Sequence, residues 1–128
     1  MLHSMVATAA LIALSAPAGG SDSAAGEAVF KKRCLACHAI GTGARNKVGP
    51  ELNGLFGRTA GSVQRYKYST AIIDSGIVWD ETIFATYIRN PRVTLPGTKM
   101  MFAGLKSEQE ISHLMAYLAR FDADGSVR

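Results

Sequence analysis

The clearest helical pattern of the chain lies near its C-terminus. Five apolar residues recur there at helical spacing: Ile111, Leu114, Met115, Leu118 and Phe121. This spacing places them along one face of an α-helix. Just before them, Ser107 and Glu110 have the spacing of a capping box, in which the serine side chain satisfies a free amide at the start of a helix. The pattern predicts a helix over residues 107–120 whose apolar face packs into the core.

The rest of the chain shows weaker periodicity. We expect an N-terminal helix from about Ser23 to Cys37, a short helix near residues 70–74, a helix from Asp80 to Asn90 and a short turn after Pro91. Between residues 39 and 70 the hydrophobic pattern is weak and glycines are frequent, which predicts a long loop to about Tyr68. The last residues, 122–128, are expected to fray. These elements predict an all-α fold.

The N-terminus carries a separate apolar run. Residues 5–14, MVATAALIAL, are too few to span a bilayer as a helix, since a span takes about 20 residues. Ala16-Pro17-Ala18 follows with the small-x-small pattern that signal peptidase accepts. We interpret residues 1–18 as a signal peptide and residues 19–128 as one exported, periplasmic domain. Only His3 stands where a positively charged start is expected, so the alternatives are a true start further upstream or retention as a short membrane anchor.

The net charge of the chain limits the classes of partner that it could bind, and its small size limits the apolar core that it could form. The chain has 128 residues, with 14 Lys and Arg against 10 Asp and Glu, which gives a net charge of +4. This excess is too small and too dispersed to indicate nucleic acid binding, but it suits attraction to acidic protein partners. A small domain with a glycine-rich middle builds little apolar core of its own, so we expect a metal or cofactor to form part of it.

The two cysteines lie three residues apart in Cys34-Leu35-Ala36-Cys37-His38, the C-x-x-C-H signature of c-type haem attachment. Two thiols at this spacing can each bond one vinyl group of the same porphyrin edge, and His38 then lies under the iron as the proximal ligand. A thioredoxin-like redox pair would need a βαβ context, which the sequence lacks. A zinc site would need a second pair of cysteines, and a disulfide here would close too short a loop to stabilise the fold. The motif predicts one covalently attached haem c.

A six-coordinate haem iron needs a second axial ligand, for which methionine is the usual choice when a positive potential is required. Met115 belongs to the apolar face of the C-terminal helix, where we interpret it as core filler. Met100 and Met101 follow the segment LPGTK at residues 95–99, a turn that cannot continue a helix and lets the backbone approach a flat ligand. One of these two methionines is predicted to bind iron, and the residue chemistry alone does not say which.

From Gly26 to about Tyr117 the chain resembles class I cytochromes c of the mitochondrial type and their soluble bacterial relatives. The segments that carry the resemblance are CLACH, KVGPELNGLFGR, SGIVW, YIRNP and PGTKMMFAGLK, in the order and with the spacing of that family. The resemblance implies a small cytochrome c fold, in which three main helices and several short helices wrap around one covalent haem.

The resemblance also implies roles for residues on the two faces of the haem. It places Met100 as the distal iron ligand opposite His38, with Met101 as an apolar residue of the lid. Pro50 would accept a hydrogen bond from the His38 ring through its carbonyl, which orients the ring and tunes its strength as a ligand. Gly26 would let the N-terminal and C-terminal helices cross at close range.

Further polar residues are implied around the haem edge and the methionine sulfur. Tyr68 and Trp79 would donate hydrogen bonds to a buried haem propionate, and Arg58 would offset its charge. Tyr87 would form a hydrogen bond near the sulfur of the methionine ligand, and Thr98 would close the same polar patch.

Together these features predict a periplasmic electron carrier, not an enzyme, whose haem iron alternates between ferric and ferrous. The resemblance suggests a cytochrome bc complex and a terminal oxidase as partners, or a photosynthetic reaction centre or periplasmic dehydrogenase, each docking through an acidic face onto a monomer. The basic residues expected at that docking face are Lys32, Arg33, Arg45, Lys47, Arg92, Lys99 and Lys106. Two alternatives stay open: a haem enzyme or gas sensor with a labile distal ligand, and a tethered subunit of a larger oxidoreductase.

Overall fold

The computed structural model describes residues 7–12 and 22–128. Residues 7–12 have no regular secondary structure, and the side chains of Leu11 and Ile12 are exposed. Most of the segment interpreted as a signal peptide lies outside the described residues, so that interpretation stays a prediction. Within the two described ranges, no helix combines the length and the apolar character needed to cross a bilayer.

Helices are the main regular elements of the described residues. They are α1 (Ser23–Arg33), α2 (Thr70–Asp74), α3 (Glu81–Arg89), α4 (Pro91–Thr94) and α5 (Glu108–Leu118). Extended pairing in the same ranges amounts to two isolated bridges, Thr59 with Val78 and Phe121 with Val127. The all-α prediction is therefore confirmed, including the short helix near residues 70–74 and the helix that follows the capping box.

Side-chain caps explain why three of these helices begin where they do. Asp22 accepts the amide protons of Ala24 and Ala25 at the start of α1, at 2.9 and 3.2 Å. Asp80 Oδ1 accepts from the amide of Ile83 at 2.7 Å, and Ser107 caps α5 in the same way. Each cap of this kind contributes about 1 kcal/mol.

The N-terminal helix ends earlier than the sequence suggested. We expected it to reach Cys37, but α1 ends at Arg33. The reason is a change of hydrogen-bond register, because the Phe30 carbonyl accepts from the amides of both Cys34 and Leu35, at 2.8 and 2.9 Å. The haem-attachment motif therefore lies on a turn after the helix, held by a bond from the His38 amide to the Cys34 carbonyl at 2.9 Å.

The two terminal helices form the centre of the fold by crossing at Gly26. A Cβ atom at this position would lie 2.8 Å from the Cβ of Tyr117 and would overlap the His113 carbonyl, so only glycine fits. Next to the crossing, the rings of Phe30 and Tyr117 pack at a centroid distance of 5.7 Å. The close crossing that the resemblance implied for Gly26 is present.

The last seven residues are ordered, so the prediction that they fray is wrong. The Asp122 amide donates to the Ser126 carbonyl at 2.9 Å, and Arg128 Nε lies 3.0 Å from the Asp122 carboxylate. Gly125, at a φ of 85°, lies so close to Gly41 that a Cβ there would overlap the Gly41 carbonyl. The end of the chain thus packs against the loop that follows His38, because a turn at Gly125 directs it back there.

Candidate functional site

A cavity of about 210 Å³ lies between the loops and the helices. The site residues expected from the sequence all line it: Cys34, Cys37, His38, Pro50, Arg58, Tyr68, Trp79, Tyr87, Thr98 and Met100. They come from segments that are far apart in the chain. Leu52, Leu55, Ile72, Phe84 and Ile88 add apolar wall between these polar groups. The fold therefore brings together, around one largely apolar space, the ten residues that the sequence analysis placed at the haem.

The two cysteines line this cavity and do not form a disulfide with each other. Burial raises the pKa of the Cys34 thiol to about 11, whereas reactive redox-pair cysteines have lowered pKa values. Within residues 7–12 and 22–128, no group of three or more His, Cys, Asp and Glu side chains converges on a common point. The raised pKa of Cys34 does not fit the thiolate that a thioredoxin-like redox pair needs.

The His38 ring is fixed by its neighbours. Nδ1 donates a hydrogen bond to the Pro50 carbonyl at 2.7 Å, as the resemblance implied. The backbone of Gly49 packs against the ring so closely that a Cβ there would lie 2.7 Å from Nδ1 and 2.8 Å from Nε2. Burial lowers the pKa of His38, which favours the neutral ring. With its proton on Nδ1, the ring offers Nε2 as a metal ligand.

Arg58 supplies a mostly buried positive charge to the cavity wall. Its Nη1 donates to the carbonyls of Glu51 and Asn53, at 2.9 and 3.0 Å, and lies 3.7 Å from the Glu51 carboxylate. Burial lowers the pKa of the Arg58 guanidinium. Across the described residues, the hydrogen bonds of its side chain all use Nη1. Arg58 also lines the cavity, so its positive charge lies in the cavity wall.

Two aromatic donors lie in the same cavity wall as Arg58. The Tyr68 hydroxyl oxygen accepts the amide proton of Val63 at 3.0 Å, so its own proton is free to be donated. Burial raises the pKa of the Tyr68 phenol, which keeps that proton in place. Trp79 is 8 % exposed, and its ring packs on that of Tyr87 at a centroid distance of 5.3 Å. Arg58, Tyr68 and Trp79 together could bind a carboxylate.

A pair of hydroxyl groups fixes the loop that carries the methionines. Tyr87 and Thr98 share a hydrogen bond of 2.8 Å, and burial raises the pKa of the Tyr87 phenol. Thr98 Oγ1 also accepts the amide proton of Met100 at 3.4 Å. The Met100 side chain is half-buried against the core, whereas Met101 is 79 % exposed and its sulfur lies 3.5 Å from Arg92 Nη2. The two methionines, which residue chemistry alone could not separate, thus differ in burial.

Tyr66 is a cavity residue that the sequence analysis missed. Its hydroxyl donates to the Val48 carbonyl at 2.7 Å, and its ring packs on Tyr68 at 4.7 Å. The Lys99 ammonium lies 4.5 Å from the centre of the same ring and donates to the Lys67 carbonyl. Its position two residues before Tyr68 could have indicated that Tyr66 also faces the cavity. Its contacts with Val48 and Lys99 could not be predicted, because they depend on loops that are distant in sequence.

This set of donors fits a metal porphyrin. The walls are apolar and aromatic, an imidazole nitrogen and a thioether border the same space, and two thiols stand beside the imidazole. The charge of Arg58 and the hydrogen-bond donors of Tyr68 and Trp79 suit the carboxylates of a porphyrin. Without such partners these carboxylates would be costly to bury. The cavity can therefore hold an iron porphyrin through three kinds of contact: covalent bonds to the thiols, axial ligands to the iron and polar contacts to the carboxylates.

Comparisons with known proteins identify the family. The model of the family described as Cytochrome c matches residues 23–121. Cytochrome c2 of Blastochloris viridis is 57 % identical over 116 residues, which cover 91 % of both chains. Cytochrome c-550 of Bradyrhizobium diazoefficiens is 56 % identical over 106 residues, which cover 83 % of this chain and 77 % of the relative. Cytochrome c-554 of Methylosinus trichosporium is 48 % identical over 126 residues, 95 % of both chains. The chain therefore belongs to the cytochrome c family of electron-transfer proteins, and its cofactor is covalently attached haem c.

Proposed function

We propose that this protein carries single electrons in the periplasm between membrane redox complexes, with His38 and Met100 as the axial ligands of its haem. Bound haem supplies the one-electron couple, and the chain supplies its attachment, ligands and surroundings. The observation that carries the proposal is the convergence of Cys34, Cys37, His38 and Met100 on one apolar cavity. An apolar surrounding and a thioether ligand both favour the ferrous state and so raise the reduction potential.

The proposed axial ligands are supported by the contacts around them. The Pro50 carbonyl holds the His38 ring through Nδ1, at 2.7 Å, which presents Nε2 as the ligand atom. On the methionine side, Thr98 connects the Tyr87 hydroxyl to the Met100 amide. Because both ligands are fixed by the protein, electron gain and loss would require little rearrangement of the chain.

We further propose that Arg58, Tyr68 and Trp79 bind a haem propionate. Each lines the same cavity, and the guanidinium of Arg58 carries the positive charge that a buried carboxylate needs. The Tyr68 hydroxyl accepts a hydrogen bond from the Val63 amide, so its own proton is left to donate to the propionate.

The proposed partners are acidic faces of redox proteins: a cytochrome bc complex and a terminal oxidase, or a reaction centre or periplasmic dehydrogenase. The seven basic residues expected at the docking face are all exposed: Lys32, Arg33, Arg45, Lys47, Arg92, Lys99 and Lys106. Arg33 and Lys99 line the cavity itself, and Lys47 donates to the Leu35 carbonyl inside the haem-attachment motif. Positive charge thus lies beside the haem edge that the two cysteines would bind. At this edge a monomer could exchange electrons with a docked partner.

Salt dependence tests the docking proposal. Electron exchange with an isolated cytochrome bc complex should slow steeply as ionic strength rises, since steered association is screened. Arg33→Glu should slow the exchange at low salt by about tenfold, because Arg33 lines the cavity and the association rate responds to charges near the contact. Arg120→Glu makes the same charge change on a residue that does not line the cavity, and it should have a much smaller effect. A rate that is insensitive to salt, or equal losses in both variants, would contradict the proposed docking face.

The periplasmic location rests on the sequence of residues 1–18, which we propose are removed as a signal peptide after about Ala18. The mass of the protein purified from its native membrane and soluble fractions tests this. A mature chain of residues 19–128 supports a mobile shuttle, whereas a retained N-terminus in the membrane fraction would favour a tethered subunit.

A further inference from the structure

The Arg58 side chain has an anionic neighbour to which no role has been assigned. The Glu51 carboxylate lies 3.7 Å from Arg58 Nη1, with 21 % of the Glu51 side chain and 15 % of the Arg58 side chain exposed. Charges at this depth are screened much less than those of surface pairs. The positive charge at the cavity wall is therefore partly neutralised by the chain itself.

The Glu51 carboxylate is fixed by the backbone around it. Its Oε2 accepts the amide proton of Asn53 at 2.6 Å, while the Glu51 amide donates to Asn46 Oδ1 at 3.0 Å. The Glu51 carbonyl accepts from Arg58 Nη1 at 2.9 Å. The carboxylate cannot turn away from Arg58 without leaving the Asn53 amide, so its charge acts from a defined position.

We propose that Glu51 is a positioning residue that lowers the reduction potential of the haem by offsetting the charge of Arg58. The inference rests on the proposed placement of Arg58 beside a haem propionate. A positive charge near the haem disfavours the ferric state, which carries one more positive charge than the ferrous state, and so raises the potential. Glu51 opposes this effect, and its removal should raise the potential.

The test is the reduction potential of the haem-loaded protein, measured for the wild type and three variants. Glu51→Gln keeps an oxygen acceptor for the Asn53 amide and removes only the charge. It should shift the equilibrium constant for reduction about threefold in favour of the ferrous form, which is about 30 mV at 59 mV per tenfold change for one electron. Glu51→Asp keeps the charge and should stay close to the wild type.

Glu108→Gln provides a matched control. Glu108 forms an ion pair with Arg89, and neither residue lines the cavity, so the same charge is lost away from the site. This variant should leave the potential nearly unchanged. An unchanged or lowered potential in Glu51→Gln, a rise in Glu51→Asp as large as that in Glu51→Gln, or an equal rise in Glu108→Gln would overturn the inference.

Failure of this inference is distinguishable from failure of the proposed function. If the ferric wild type lacks the spectrum of a His and Met ligand pair, the proposed ligation fails, whatever the variants do. If that spectrum is present and the potential does not respond to Glu51, only the role of Glu51 fails. Thermal unfolding of each variant shows whether a changed potential is accompanied by a loss of stability. A purely structural role of Glu51 would require such a loss.

Discussion

The His38 ring is held between two backbone groups, the Pro50 carbonyl and the backbone of Gly49. The Pro50 carbonyl accepts from Nδ1 at 2.7 Å, while Gly49 packs against the ring. The Gly49 amide in turn donates to the Cys37 carbonyl at 2.7 Å, which ties this loop to the attachment motif. The orientation of the His38 ring thus depends on the absence of a side chain at Gly49.

We expect Gly49→Ala to destabilise the protein by about 2 to 3 kcal/mol, because the added methyl group would overlap the His38 ring and force it or the loop to move. Denaturant unfolding of the haem-loaded protein measures the loss. Gly43→Ala is the control: Gly43 has a φ of 74°, but a Cβ there would meet nothing within 4 Å, so backbone strain of about 1 kcal/mol is all that it adds. Equal costs in the two variants would contradict a steric role for Gly49.

At the residue scale, some features of the site could be predicted from the sequence and others could not. The C-x-x-C-H spacing predicted the attachment site, because its chemistry is local to five consecutive residues. The choice between Met100 and Met101 was not local, since it depends on which side chain the turn after Leu95 directs into the core. Residue chemistry left both methionines open; in the fold both line the cavity, with Met100 half-buried and Met101 79 % exposed.

At the element scale, helices were predictable where a cap and an apolar face agree. The Ser107 cap and the apolar spacing predicted α5, and its Ile111, Leu114 and Leu118 are each 1 % exposed. The end of α1 was predicted wrongly because it depends on how Phe30 shares its carbonyl between two amides. The C-terminal turn was missed for a related reason, since its stability comes from packing on Gly41, which is remote in sequence.

An ion pair between α3 and α5 has a defined pH dependence. The guanidinium of Arg89 donates to both Glu108 oxygens at 2.6 Å, and these hydrogen bonds hold the pKa of Glu108 below its ordinary value of 4.5. Because the folded-state pKa is lowered, the pair stabilises the fold above the ordinary pKa. That stabilisation is lost as the pH falls through the lowered value.

Thermal unfolding of the wild type and Glu108→Gln should therefore differ at neutral pH, with the wild type more stable. The difference should be small, since the pair is exposed, and it should shrink once the pH falls well below 4.5. A difference that persists in acid, or grows there, would show that Glu108 acts through something other than its charge.

At the scale of the whole molecule, the cavity is assembled by loops that the helices hold in place. His38 and Pro50 come from the loops after α1, Tyr68 precedes α2, Tyr87 lies on α3, and Met100 follows α4. The resemblance implied these residues around one haem, and they line the same cavity. Hydrophobic periodicity could not have indicated this, because residues 39–70 show almost none. The polar links between loops, such as that from Tyr66 to Val48, became visible only in the folded chain.

The central claim is that one haem iron is held between His38 and Met100, so that the protein exchanges electrons without opening a site for substrate. The visible spectrum of the ferric protein, expressed with haem-attachment machinery, tests this claim most directly. We predict a weak near-red band from sulfur-to-iron charge transfer in the wild type and in Met101→Ala, and its loss in Met100→Ala. A high-spin spectrum in the wild type, or a band that survives in Met100→Ala, would contradict the account and favour a haem enzyme or sensor with an open iron.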